Sequence, residues 1–114
     1  MLTSGDVVDL ELGTPAGHEA GFRHPAIVVT AQRVLKGSPS VLQVVPLTST
    51  LRRSSAEVTI DPDRDNGLDN RSAAQCQHVR SVSPARVLDV RGNVGAVTLT
   101  QIRETLALLL DLPV

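Results

Sequence analysis

Neither tryptophan nor tyrosine occurs in this chain, and Phe22 is its single aromatic ring. A nucleic-acid surface made of stacked aromatic side chains is therefore excluded; any base stacking must use Phe22, a histidine or the plane of an arginine. Cysteine is as scarce. Cys76 stands alone, so no internal disulfide can form and nothing in the chain calls for an oxidising compartment. Apolar runs stop short of the roughly 20 residues that span a bilayer, and the opening Met1-Leu2-Thr3-Ser4-Gly5-Asp6 lacks the basic and apolar regions of a secretory signal. The expectation is a cytoplasmic protein without membrane contact. An excess of one charge is also missing: formal net charge is -1 and the pI about 6.3, which excludes coating a polyanion through bulk charge. Any anion site must be local. Lysine is nearly absent, ten of the eleven basic residues being arginine, whose planar donors suit forked contacts to phosphate.

What is present is enough for one core. With 114 residues the chain reads as a single domain, 1–114, small enough that pairing with a second copy would help, so a homodimer is expected. Val8, Leu10 and Leu12 alternate with Asp9 and Glu11, the period of a half-buried strand, and Gly13-Thr14-Pro15 breaks it. Residues 14–24 form a long connection. Ala26 to Thr30 is apolar enough for a strand buried on both faces, and Val41 to Leu47 follows the Lys36-Gly37-Ser38-Pro39-Ser40 turn as a third strand. Glu57-Val58-Thr59-Ile60 is a short fourth. Between Asp61 and Asp69 acidic residues recur at alternate positions, but the glycine falls one place late for a calcium loop and Ser72 cannot close one, so a solvated turn is expected.

Ser72 to Ser81 reads as one strand with polar residues on both faces, the pattern of an interface or site. Ser83-Pro84 is a helix-entry signal with little helix behind it, and Arg91 to Gly95 reads as a turn. Thr98 and Gln101 match a capping box, and Leu99, Ile102, Leu106 and Leu109 or Leu110 form one face of a terminal helix running to Pro113. Strands in close succession with one terminal helix give a mainly β fold: a small, strongly curved antiparallel sheet or partly open barrel closed by that helix.

The chemistry-bearing residues fall in three groups. His18, Glu19, Phe22, Arg23 and His24 share the first long loop; Thr48, Ser49, Arg52 and Arg53 follow the third strand; Gln77, His78 and Arg80 lie on a later one. Cys76 is alone and the histidines have no paired spacing, so no metal site is expected, and no cofactor-binding glycine loop or serine elbow is present. Histidine with arginine is the equipment for attack of a ribose 2'-hydroxyl on its own phosphate. A base takes the proton, a cation stabilises the five-coordinate phosphorane, and an acid protonates the leaving oxygen.

Gly5-Asp6-Val7-Val8 with Glu11-Leu12, Gly17-His18-Glu19, Pro25-Ala26-Ile27-Val28-Val29, Val45-Pro46-Leu47-Thr48-Ser49 and Val79-Arg80-Ser81-Val82 occur in an order and spacing that resembles the MazF/PemK (Kid) toxins of toxin-antitoxin systems. The resemblance implies a dimeric, metal-independent endoribonuclease that cuts single-stranded RNA within short sequences and leaves a 2',3'-cyclic phosphate. A MazE-type antitoxin would silence it by laying an acidic, extended segment over the RNA groove. The fold implied is the small SH3-like barrel shared with CcdB toxins, so a non-catalytic module binding RNA or a protein partner, or a CcdB-like topoisomerase poison, would have the same frame. The family's catalytic arginine directly precedes the proline of the second strand; here His24 stands there and Arg23 one place earlier. Its hydroxyl falls on Thr48. The resemblance thus implies Arg23, His24 and Thr48 as the catalytic group, with His18, Glu19, Phe22, Ser49, Arg52, Arg53, Gln77, His78 and Arg80 towards RNA. Cys76 is expected to be a small buried side chain without a redox role.

Overall fold

The computed structural model describes residues 1–13 and 23–113. Seven strands and two helices follow one another as β1 (Asp6–Glu11), β2 (Arg23–Val28), α1 (Gln32–Leu35), β3 (Leu42–Thr48), β4 (Glu57–Ile60), β5 (Ser72–Gln75), β6 (Arg80–Val82), β7 (Val87–Asn93) and α2 (Gly95–Leu109). All pairings are antiparallel, in the order β4-β5-β3-β2-β1-β7, with β6 also on β3. β3 is the hinge of this arrangement. Its first half, from Leu42 to Val44, pairs with β6, while Leu47 and Thr48 pair with Ala74 and Ala73 of β5. One strand serving two partners forces the sheet to curl. No ladder joins β4 to β7 among the described residues, so the barrel stays open between its two edge strands.

Strand alternation sorts the apolar residues into two cores. Val7, Ile27, Val45 and Leu47 face one side and pack with Leu99 and Ile102 of α2, while Val8, Leu10, Ala26, Val28 and Val44 face the other, with Leu35 and Val82. Ala26, Ile27 and Val28 are fully buried, as the unbroken apolar run predicts for a central strand. At about 1.5–3 kcal/mol for each large aliphatic side chain removed from water, these two layers are the main source of stability.

Three local expectations are revised. α2 begins at Gly95 rather than at a Thr98 cap, because Asn93 Oδ1 accepts the Gly95 N–H at 2.8 Å and satisfies one of the first free donors. It ends at Leu109. The 72–81 stretch is two strands separated by a 3₁₀ turn, Cys76–His78, since β5 and β6 pair with different halves of β3. Arg91 to Asn93 is not a turn but the end of β7, and the preceding Pro84–Arg86 is one 3₁₀ turn capped by Ser83. The acidic 61–69 segment is a turn with its four aspartates exposed, as expected, but two of its residues turn inward. Asn66 is buried, its Oδ1 accepting from Leu68 N–H and Asp63 N–H, and Leu68 enters the α2-side core. This loop docks on β7, where Asn93 N–H donates to Asp65 O at 2.8 Å.

Candidate active site

Where β2 begins and β3 ends, beside the docked loop, a cleft of about 320 Å³ opens. His24 and Pro25 of β2, Thr48 of β3 and Ser49 line one part, and Asp69, Asn70 and Arg91 line another. The β2–β3 pairing explains the first wall. Ala26 sits opposite Pro46 and Ile27 opposite Val45, so carrying the register two residues further sets His24 opposite Thr48. Two residues 24 positions apart in sequence therefore line one cleft. Thr48 Oγ1 accepts the Thr50 N–H at 3.1 Å, which leaves the hydroxyl proton to be donated to a ligand.

Arg23 takes a different course from its neighbour. Its guanidinium, about half exposed, is paired with Asp89 of β7 and reaches Asp9 of β1 at 3.5 Å. Register accounts for this cluster: Glu11 lies opposite Arg23 and Asp9 opposite Asp89, which puts these side chains on one face across three strands. Asp9 is shared, because Arg91 Nη1 approaches its other oxygen at 3.7 Å. Arg91 in turn donates to Asp69 at 3.1 Å. Arg23 thus borders the cleft through Asp9 without lining it, and Arg91 stands inside.

The residues assigned towards RNA divide. Ser49 is in the cleft. Arg52, Gln77 and His78 gather around Glu57, an acid that sequence reasoning did not single out. Gln77 Nε2 donates to Glu57 Oε2 at 2.7 Å, Gln75 at 3.4 Å, and Arg52 approaches the same oxygen at 3.5 Å. These contacts hold the Glu57 carboxyl below its ordinary value, the Gln77 hydrogen bond being the largest cause; desolvation opposes them, and the charges of Arg52 and His78 add to the lowering. Arg53 and Arg80 are exposed, Arg80 on β6 opposite Val44. His18, Glu19 and Phe22 lie outside the described residues.

Arg91, Asp69 and Asn70 are the cleft residues that the sequence did not announce. Arg91-Gly92-Asn93 carries a turn-like composition, and only its pairing with β1 makes it a strand. Two glycines mark the spot in retrospect: a Cβ on Gly92 would lie 2.3 Å from Asp65 O, and one on Gly67 2.3 Å from Arg91 O. They allow the loop and β7 to touch backbone to backbone. Among the described residues, no group of three or more His, Cys, Asp or Glu converges as metal ligands, and no helix is long and apolar enough to cross a membrane.

Comparison with known proteins covers nearly the whole chain. The family model for the PemK-like, MazF-like toxin of type II toxin-antitoxin systems matches residues 3–110. Endoribonuclease MazF9 of Mycobacterium tuberculosis is 33% identical over 119 residues, 98% of each chain. Among solved structures, an endoribonuclease in complex with its cognate antitoxin from a mycobacterial species superposes with a TM-score of 0.80 at 23% identity, covering 100% of this chain and 99% of that one. MazE-MazF of Deinococcus radiodurans superposes with a TM-score of 0.77 at 28% identity, over 96% of each chain.

Proposed function

The chain belongs to the PemK-like, MazF-like toxins of type II toxin-antitoxin systems, and on that premise we propose that its cleft is where it cuts single-stranded RNA. The protein is a toxin endoribonuclease neutralised by a cognate antitoxin. The observation that supports this location is the meeting of His24 and Thr48, with Ser49 and Arg91, in one cleft at the sheet's end.

The chemistry proposed needs no metal, because the nucleophile is already part of the substrate. The His24 imidazole takes the proton of a ribose 2'-hydroxyl as the 2'-oxygen bonds to the adjacent phosphorus. The bond from phosphorus to the 5'-oxygen breaks, that oxygen takes a proton from water, and the imidazolium returns its proton to the hydroxide left behind. A 2',3'-cyclic phosphate and a 5'-hydroxyl remain. Thr48, whose own proton is far too weakly acidic to act as a base, donates its O–H to a phosphate oxygen and fixes the phosphorus in line. Arg23 contributes positive charge at the rim. Arg52, Arg53, Gln77, His78 and Arg80 lie along the path of the flanking nucleotides and contact their phosphates and bases. The toxin works as a homodimer, and an acidic stretch of a MazE-type antitoxin silences it by occupying the same basic ground.

Incubation of the wild type, His24→Ala and Thr48→Ala with a long messenger transcript in EDTA tests this reading. Wild type should give discrete fragments; His24→Ala should be slower by about a hundredfold or more, as for loss of a general base. Thr48→Ala should lose about tenfold or more with thermal unfolding little changed. Two variants that cleave like wild type would place the active site elsewhere.

A further inference from the structure

A guanidinium is needed at the phosphate, and the cleft offers one from an unexpected strand. Arg91 lies in an irregularity of the β1–β7 ladder: Val7 pairs with Gly92 and Val8 with Val90, so Arg91 is the extra residue between two registers. Such a bulge re-aims one side chain out of the strand's alternation. Here it turns Arg91 into the cleft that His24, Thr48 and Ser49 line.

Its two ion pairs differ in kind. Asp9, 15% exposed and shared with Arg23, lies on β1 beneath the guanidinium, 3.7 Å from Nη1. Asp69, 87% exposed, reaches in from the docked loop and holds Nη2 at 3.1 Å. An exposed pair of that sort is worth about 0–1 kcal/mol, so another oxyanion displaces it at little cost. A phosphodiester oxygen presents the same charge and acceptor geometry as the Asp69 carboxylate.

Resting on the reading of this cleft as the ribonuclease site, we propose that Arg91 is the cation that clamps the scissile phosphate, and that Asp69 keeps its place until RNA arrives. Asp9 pre-orients the guanidinium, so binding requires no reorganisation of the cation, only departure of Asp69. Arg91 then stabilises the charge that builds on the phosphorane oxygens. The position before Pro25, filled by His24, is thereby released from the cationic role and can serve proton transfer.

Single-turnover cleavage of one long messenger transcript, at a series of enzyme concentrations, separates the maximal rate from the half-saturating concentration. Wild type, R91Q, R91K, D69N and the double variant D69N/R91Q are compared, with circular dichroism and thermal unfolding as the folding control. R91Q should lower the maximal rate on the order of a hundredfold, and R91K should recover part of it. D69N, which alters an exposed side chain, should lower the half-saturating concentration about two- to fivefold where Arg91 is present and have no such effect in the double variant. R91Q cleaving at the wild-type rate would overturn the clamp, and equal D69N effects in both backgrounds would reduce Asp69 to a general field charge and overturn the placeholder. A wild type that leaves the transcript intact would instead sink the ribonuclease reading of the cleft, and this inference with it.

Discussion

Two titratable side chains behave in ways their neighbours dictate. Burial pushes the Cys76 thiol up to about 11, its own backbone opposing and the Glu57 charge adding to the rise. The thiolate is the reactive form, so the folded protein should resist alkylation by iodoacetamide at neutral pH and react fully once unfolded in guanidinium. Rapid native labelling would contradict that burial. Glu57 runs the other way. Its side chain is 2% exposed and its carboxyl is lowered from the ordinary 4.5, chiefly by Gln77. A carboxyl lowered on folding stabilises the native state fully above its ordinary value and loses that contribution as pH falls through the lowered one. Chemical denaturation across the acid range should therefore show stability dropping below about pH 4.5, with a shallower drop in Glu57→Gln. Identical slopes would mean that the amides around Glu57 do not favour its charged form. Cys76 was legible in the sequence as a lone, small side chain expected to be buried. Glu57 was not, since a single acid opening a short strand gives no sign that two glutamines and an arginine will converge on it.

At the level of elements, legibility followed the range of the interactions. β2 could be read from Ala26 onward because a central strand writes its burial into consecutive residues, as in Ala26-Ile27-Val28, and the edge strand β4, Glu57–Ile60, coincides with the expected short strand. The resemblance groups His24 with Thr48, and both line the cleft where β2 begins and β3 ends. β7 was hidden because Gly92 and Asn93 have turn chemistry and owe their strand geometry to β1, over 80 residues earlier in the chain. The docking of the 61–69 turn was hidden for the same reason: its acids are exposed, as expected, and it is held through its backbone, Asp65 O accepting from Asn93 N–H. This contact carries a prediction. Gly67 has φ +67 and its Cβ would press against Arg91 O, so Gly67→Ala should cost about 1–3 kcal/mol by denaturant melt. It should also slow cleavage, since Leu68 and Asp69, which follow it, wall the cleft. Unchanged stability would show that the loop yields without cost.

The molecule as a whole leaves apolar surface that one copy does not use. Leu108, Leu110 and Leu112 are more than half exposed at the end of α2, and Leu110 and Leu112 border a groove with Val29, Val79 and Leu106. A second copy seated there would remove this patch from water. Sedimentation equilibrium should give about twice the 12.1 kDa chain mass, and Leu110→Glu should shift the protein towards that of one chain. A Leu110→Glu variant as dimeric as wild type would locate the dimer contact on another face. The cleft differs from this patch: it depends on strand register and a bulge, and its output is a specific chemical product. The most direct test of the account is therefore the identity of the fragment ends. Mass spectrometry of a transcript digested by the purified protein in EDTA should find 2',3'-cyclic phosphates facing 5'-hydroxyls. Ends carrying 3'-hydroxyls and 5'-phosphates would mean that water, not the ribose, attacked, and would contradict the role given to His24 and Thr48.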